Sequence, residues 1–212
     1  MRRLMMLLVL GLLVGGMLLT RYYPALTTIS VQGNQHHSQD AILTLANVTT
    51  GDPFLWVTSQ RVAELASDPW VRSAQLTRTW PNTLSITIEE REPLLVFHDA
   101  HGEHVYAKDG TLLYGVSTET KNALVSLRGW GDGRLPEALA LSQLLADYDV
   151  RSLEYSPYGF DINLASGQVF TPSVDDLVMH WAGFSDYISN SIAREDSQLA
   201  VYPWGVSVTY GR

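Results

Sequence analysis

The chain has 212 residues, with 14 basic and 22 acidic side chains, a formal net charge of −8 and no cysteine. This length allows one or two domains. The acidic balance argues against nucleic acid or anionic lipid as the main partner, and the absence of cysteine excludes a disulfide framework.

The first feature in chain order is an uncharged apolar stretch from Leu4 to Thr20. Its length of about 17 residues is near the lower limit for a helix that crosses a bilayer. Basic residues precede it, and residues typical of a membrane interface follow it: Arg21, Tyr22 and Tyr23. Because no small-x-small cleavage site follows, we expect an uncleaved anchor with a cytoplasmic N-terminus and an exported C-terminal part. A cleaved signal peptide is the alternative.

The next elements are a short strand and two short helices. Ala25 to Val31 is rich in β-branched residues and is followed by a Gly-Asn turn signal. Ser38 is a candidate N-cap for the helix "QDAILTLA". Thr58 or Ser59 can cap a second helix, "QRVAELAS", which must end before Pro69 because the residue before a proline is displaced from the helical region.

A hairpin follows the two helices. Its predicted strands are Val71 to Thr79 and Leu84 to Glu90, joined by a turn at Trp80–Thr83. Leu84, Ile86 and Ile88 alternate with polar residues, which predicts one buried face and one wet face. The order strand, helix, helix, strand, strand predicts a small α+β domain.

After Glu92-Pro93 the pattern changes to short strand candidates separated by turn dipeptides, of which Asp109-Gly110 is a strong hairpin signal. Two helical patterns interrupt them, at Pro136–Tyr148 and Val174–Ile192. We expect a second domain that is a meandering sheet with helices packed against it. Residues 129–133 form its most flexible predicted loop.

No arrangement of residues predicts a catalytic or cofactor site. His98, His101 and His104 suggest a metal site, but the favoured interpretation is a polar hairpin loop, because residues three apart on a strand or turn do not converge. There is no G-x-S-x-G motif, no Ser-x-x-Lys motif and no phosphate-binding loop. We therefore predict a protein that is not an enzyme and binds neither metal nor cofactor.

Three sequence segments resemble the FtsQ/DivIB family of bacterial division proteins: "ISVQGN", "PWVRSAQLTRTWPNTLSITIEEREP" and "KDGTLLYG". In the second segment, Pro69-Trp70-Val71, Trp80-Pro81 and Glu90-Arg91-x-Pro93 occur in the family's order. The resemblance implies three parts. These are a short cytoplasmic start with a transmembrane anchor (1–24), a POTRA domain (25–95), and a mixed β-sheet domain with packed helices and a C-terminal partner-binding strand (96–212).

The resemblance also implies a function. The chain would be a non-enzymatic scaffold of the division septum, anchored in the plasma membrane by one helix. Outside that membrane it would bind FtsB- and FtsL-type partners and link early division proteins to septal peptidoglycan synthesis. FtsK-type and other division proteins could bind through the POTRA domain or the span. The family's cytoplasmic tail is often longer than the few residues that precede the apolar stretch here, so the resemblance does not extend to a cytoplasmic docking role.

The partner site is expected on the final predicted hairpin, where the resemblance implies that a strand from FtsB is received. An unpaired strand edge offers backbone donors and acceptors to an incoming chain, and proteins usually protect such edges with lysine or proline. Neither residue occurs from Val206 to Tyr210. The alternative is a strand that closes the sheet and is paired on both sides. The predicted site residues are Tyr202, Trp204, Val206, Ser207, Val208, Thr209 and Tyr210.

Two other functions are alternatives to a division scaffold. A POTRA module of outer-membrane protein assembly would need repeated POTRA units and a long run of barrel strands. A membrane-anchored exported hydrolase would need a nucleophile or a metal set. Neither pattern is visible in the sequence.

Overall fold

The computed structural model describes residues 2–21, 23–131, 133–189 and 197–210. They divide into two compact units, Met1–Arg91 and Glu92–Arg212.

The first unit begins with an apolar helix, α1 (Arg2–Thr20). The large apolar side chains described along it are exposed, among them Leu7, Leu10 and Leu13. In the part of the chain that the structure describes, no helix combines the length and the apolar character needed to cross a membrane. Tyr22, one of the predicted interfacial aromatics, lies outside the described residues, whereas Tyr23 is described and exposed.

The rest of the first unit has the predicted order strand, helix, helix, strand, strand. Its elements are β1 (Thr28–Gln32), α2 (Gln39–Leu45), α3 (Ser59–Ala63), a 3-10 helix (Glu64–Ser67), β2 (Val71–Thr79) and β3 (Thr83–Glu90).

The three strands form one sheet in the order β1-β3-β2, with β1 parallel and β2 antiparallel to β3. Leu84, Ile86 and Ile88 of β3 are buried, so the predicted alternation along this strand is confirmed. Their side chains meet buried residues of the two helices in one apolar core, to which Ile42, Val62 and Leu65 contribute. Two short helices therefore cover one face of a small sheet, as an α+β domain requires.

Local contacts move some boundaries from their predicted positions. The first strand begins at Thr28 rather than Ala25, because Ala25 instead forms an isolated bridge with Pro53. The Oγ of Ser38 accepts a hydrogen bond of 3.2 Å from the N–H of Ala41, which confirms this N-cap. Thr58 precedes α3 without a side-chain cap, and the helix tightens into the 3-10 turn before Asp68 and Pro69.

The second unit contains nine strands and four helices among the described residues. The strands are β4 (Pro93–Asp99), β5 (Gly102–Ala107), β6 (Leu112–Leu113), β7 (Val125–Gly129), β8 (Val150–Ser156), β9 (Gly159–Leu164), β10 (Gly167–Thr171), β11 (Ser197–Tyr202) and β12 (Gly205–Tyr210). The helices are α4 (Thr118–Ala123), α5 (Leu135–Leu144), α6 (Val174–Met179) and α7 (Trp181–Ser189).

These strands form one mixed sheet in the order β12-β11-β10-β9-β8-β7-β4-β5-β6. The predicted mixed sheet with packed helices is confirmed. Its strands do not simply meander, because the pairs β4/β7, β7/β8 and β10/β11 are parallel and need crossover connections. Helices supply these connections and cover the sheet. The core joins Leu127, Leu153 and Ile162 of the sheet to Leu141 and Phe184 of the helices.

Two predicted helices differ in extent, and one helix was not predicted. The long pattern from Val174 is divided into α6 and α7, with His180 at the break rather than inside a helix; residues 190–192 of that pattern lie outside the described residues. The helix predicted to reach Tyr148 ends at Leu144. The unpredicted helix is α4, where the Oγ of Ser117 accepts a hydrogen bond from the N–H of Thr120.

Candidate partner-binding edge

Strand β12 is the end strand of the large sheet. In the described residues its single strand neighbour is β11, with which it pairs antiparallel from Ser197↔Tyr210 to Tyr202↔Gly205. The other side of β12 therefore presents backbone N–H and C=O groups that are not used by a strand of the described chain.

The alternation along β12 gives its two faces different chemistry. Val206 and Val208 lie opposite the buried residues Val201 and Leu199, so they belong to the core face of the sheet. Tyr210 shares this face, and its side chain is 54% exposed. The opposite face carries small hydroxyl residues, Ser207 and Thr209. An incoming strand would thus meet aliphatic and aromatic groups on one side and hydroxyl groups on the other.

Helix α7 forms a wall beside the core face of this edge. A Cβ atom at Gly183 would lie 3.1 Å and 3.2 Å from the two Cγ atoms of Val206, so helix and strand approach closely at this point. Further along the helix, the buried hydroxyl of Tyr187 is 2.7 Å from the Oγ of Ser197 and donates a 3.0 Å hydrogen bond to its carbonyl. These contacts fix α7 against β11 and β12.

The turn before β12 carries a stack of aromatic rings. The rings of Tyr202 and Trp204 are parallel within 2°, with centroids 5.1 Å apart. Phe170 of β10 is 5.9 Å from the Tyr202 ring and extends the cluster onto the next strand. Trp204 is 82% exposed. Gly205 has φ +153°, a backbone conformation that favours glycine and directs the chain from the turn into β12.

The other sheet edges are less suited to receive a strand. Strand β6 has only two residues. The 3-10 helix and α3 pack beside β2. On β1, the side-chain amide of Gln39 donates a hydrogen bond of 3.4 Å to the carbonyl of Ile29. Short length and covering groups are usual protections of strand edges, and within the described residues β12 shows neither along its six residues.

The histidine cluster forms the turn between β4 and β5. Asp99 accepts hydrogen bonds from the backbone N–H groups of His101 and Gly102, at 2.7 Å and 3.0 Å. These hydrogen bonds, led by that from His101, hold the pKa of the Asp99 carboxyl below its usual value, and the nearby His104 lowers it further. Within the described ranges, no group of three histidine or acidic side chains is arranged to hold a metal ion.

A second acidic residue lies on the outer face of the sheet, close to the aromatic cluster. Asp161 of β9 pairs across the ladder with Phe170 on one side and Glu154 on the other. Partial burial raises the pKa of the Asp161 carboxyl, and the negative charge of Glu154 raises it further.

Of the seven residues that were predicted from the sequence, Tyr202 is the last residue of β11, Trp204 lies in the β11–β12 turn, and the other five lie on β12. Sequence reasoning missed Phe170 and Gly183, which adjoin them. No local signal could have found these two, because the parallel pairing of β10 with β11 and the packing of α7 bring them near.

The family model and the curated proteins that match this chain are all described as FtsQ or DivIB proteins or their domains. Residues 25–91 match the FtsQ-type POTRA domain family. Cell division protein FtsQ of Geobacter sp. (strain M21) is 42% identical over 72 residues, which cover 34% of this chain and 26% of that protein. FtsQ of Corynebacterium glutamicum is 27% identical over 146 residues, or 64% of each chain. DivIB of Geobacillus kaustophilus is 26% identical over 155 residues, or 64% of this chain and 59% of that protein. The alignments thus span less than two thirds of each of these relatives.

Proposed function

Because the chain belongs to the FtsQ/DivIB family of bacterial cell division proteins, we propose that it is a non-enzymatic scaffold of the division septum. In this role it binds FtsB- and FtsL-type partners outside the plasma membrane. Through them it links early division proteins to septal peptidoglycan synthesis. The residues from 25 to about 95 act as the POTRA domain and those from 96 onward as the partner-binding β domain.

The observation that carries the proposal is the unpaired side of β12 next to exposed aromatic rings. A partner strand aligned with β12 extends the sheet by backbone hydrogen bonds, and its side chains alternate between the α7 wall and the hydroxyl face. Tyr210 and Trp204 then act as aromatic anchors, a residue class that is enriched at interface hot spots. The proposed site comprises Tyr202, Trp204, Val206, Ser207, Val208, Thr209 and Tyr210.

The membrane anchor is part of this proposal. Its support is the exposure of the apolar side chains of α1 and the uncharged stretch from Leu4 to Thr20, flanked by Arg2 and Arg3. A basic flank favours the cytoplasmic side, so the C-terminal part lies in the periplasm or its equivalent. FtsK-type and other early division proteins bind through the POTRA domain or the anchor.

The proposal is tested by capture of an FtsB-type protein from the same organism by the purified full chain. Tyr210→Ala should weaken capture by about 2 kcal/mol or more, which is roughly thirtyfold in Kd, and should leave the melting temperature unchanged. The matched control is Tyr158→Ala, because Tyr158 is also an exposed tyrosine but lies in the turn between β8 and β9.

If Tyr210→Ala and Tyr158→Ala capture the partner equally well, the β12 edge is not part of the interface. Absence of capture by the unmodified chain would instead contradict the choice of partner.

A further inference from the structure

The first unit exposes a group of apolar and aromatic side chains at the end where the chain leaves α1. We call this group the entry-end patch. Tyr23 is 75% and Trp80 is 76% exposed, and Leu55 and Trp56 are also exposed. Isolated exposed apolar residues need no explanation, whereas several such residues gathered at one end of a unit indicate a binding surface. The patch consists of Tyr23, Leu55, Trp56 and Trp80.

Three chain segments are held together to form this patch. The N–H of Phe54 donates a hydrogen bond of 2.9 Å to the carbonyl of Pro24, which fixes the loop of Leu55 and Trp56 to the entering chain. The N–H of Thr27 donates a 3.1 Å bond to the carbonyl of Asn82, which fixes the β2–β3 turn to the same chain segment. The four side chains therefore share one end of the unit because of backbone contacts that do not involve them.

Basic groups accompany the patch. The guanidinium carbon of Arg21 lies 5.7 Å from the centre of the Trp56 ring, and Arg78 donates a hydrogen bond to the carbonyl of Val57. The loop that carries Leu55 and Trp56 also contains one acidic residue, Asp52. Its carboxylate accepts a hydrogen bond from the N–H of Thr49 and lies 3.8 Å from the guanidinium of Arg61. Tryptophan, tyrosine and arginine together are the side chains that favour the headgroup layer of a bilayer.

The short segment that joins α1 to the rest of the first unit limits how far the entry-end patch can lie from α1. Ala25 is held by its bridge to Pro53, and only five peptide steps separate it from Thr20 at the end of α1. Five extended residues reach at most about 18 Å. If α1 spans the bilayer as proposed, this end of the unit cannot leave the vicinity of the headgroup layer.

We propose that the entry-end patch rests in the headgroup layer of the membrane, with Trp80, Trp56 and Tyr23 as interfacial anchors. The inference rests on the proposed function, because it requires α1 to be inserted. Insertion of aromatic rings is the main attraction, since the acidic chain as a whole is not drawn to anionic lipid. The patch then fixes the tilt of the first unit against the membrane.

The test uses the full chain reconstituted in phosphatidylcholine vesicles, with nitroxide labels at single introduced cysteines; the native chain has none. Label accessibility to oxygen and to a water-soluble nickel complex reports depth in the bilayer. Three positions are labelled, one in each variant: Thr79, Gln35 and Leu10. Thr79 adjoins the patch, and Leu10 lies in α1. Gln35 is an exposed control at the far end of β3, which is about 23 Å long.

The expected result is a label at Leu10 inside the bilayer, a label at Thr79 at headgroup depth and a label at Gln35 in water. Trp80→Ser should then shift the Thr79 label toward water, whereas Trp204→Ser, which changes an equally exposed tryptophan in the second unit, should not.

If the Leu10 label is in the bilayer but the Thr79 label is as water-exposed as Gln35, the inference is wrong and the anchor stands; a protein partner then becomes the explanation of the patch. A water-exposed Leu10 label would overturn the anchor and the inference together. Headgroup depth for both Thr79 and Gln35 would also overturn the inference, because contact would not be specific to this end.

Discussion

The carboxylate of Glu90 accepts a hydrogen bond of 2.7 Å from the backbone N–H of His36, 54 residues earlier in the chain. The same carboxylate accepts bonds from the N–H groups of Gln35 and His37, at 2.9 Å and 3.2 Å. One acidic side chain at the end of β3 thus fixes the loop between β1 and α2. This gives a structural role to Glu90 in the segment Glu90-Arg91-x-Pro93.

Glu90→Ala should destabilise the protein by about 1–3 kcal/mol, because it leaves three backbone donors without their charged acceptor. Glu89→Ala is the matched control: Glu89 pairs with Arg72 on an exposed surface, so its loss should cost below about 1 kcal/mol. Urea unfolding of both variants measures the difference. Equal losses would show that water replaces Glu90 at the loop.

The buried face of β3 can be tested at Ile88, which is 3% exposed. Ile88→Ala should lower the free energy of unfolding by about 2–5 kcal/mol through lost burial and a residual cavity. Thr87→Ala, on the adjacent exposed position, should change it by less than about 0.5 kcal/mol. Similar losses for both in thermal or urea unfolding would mean that the outer face of this strand is also covered.

Prolines at two consecutive positions can distinguish the two sides of β12. The N–H groups of Ser207 and Val208 point in opposite directions, one toward β11 and the other toward the unpaired side. We expect one proline variant to lose stability and the other to lose partner capture with an almost unchanged melting curve. If both variants melt normally and still capture the partner, strand addition is not the binding mode.

The close approach of α7 to β12 predicts coupling between Gly183 and Val206. Gly183→Ala alone gains helix propensity but crowds the Cγ atoms of Val206. In a Val206→Ala background the crowding is removed, so the same substitution should be more stabilising there than in the native chain, by an amount that a double-mutant cycle measures. Equal effects in both backgrounds would show that the helix shifts freely.

The raised pKa of Asp161 predicts an unusual pH dependence. Between pH 3.8, the ordinary pKa of an aspartate, and its raised native pKa, the Asp161 carboxyl is protonated in the native state and ionised in the unfolded chain. The native state therefore binds more protons than the unfolded state in this range, and the free energy of unfolding falls as pH rises through it. Asp161→Asn should therefore be more stable than the native protein at pH 7, and the gap should narrow below pH 3.8. Glu154→Gln should produce a smaller gain of the same sign. Urea unfolding across this pH range measures both effects, and a gap independent of pH would contradict the assignment.

Sequence patterns predicted the first unit well because its signals are local. The alternation of Leu84, Ile86 and Ile88 and the N-cap at Ser38 each involve neighbouring residues. The hairpin strands were placed to within one residue at each end.

The second unit was less predictable because its topology depends on distant pairing. In the parallel pair β4/β7, Leu95 lies opposite Val125, although β5, β6 and α4 come between them in the chain. The periodicity of apolar residues along a strand does not indicate which distant strand it pairs with. The position of β12 at the sheet edge has the same origin. From Val206 to Tyr210 its sequence has no lysine or proline and was compatible with an edge or a closed sheet. Among the described residues, β11 pairs with β10 on its other side, which leaves β12 with one strand neighbour.

The parallel pairing of β1 with β3 also bears on how the first unit folds. Ser30 and Ser85 are hydrogen-bonded neighbours at 3.1 Å although 55 residues separate them. The β2–β3 hairpin can form from contiguous chain, whereas β1 pairs with β3 only after a loop of about 50 residues has closed. Such non-local contacts slow folding because loop closure precedes any gain in contact energy. We therefore expect β1 docking to be a late kinetic step, during which the apolar side of the hairpin is transiently uncovered and vulnerable to aggregation.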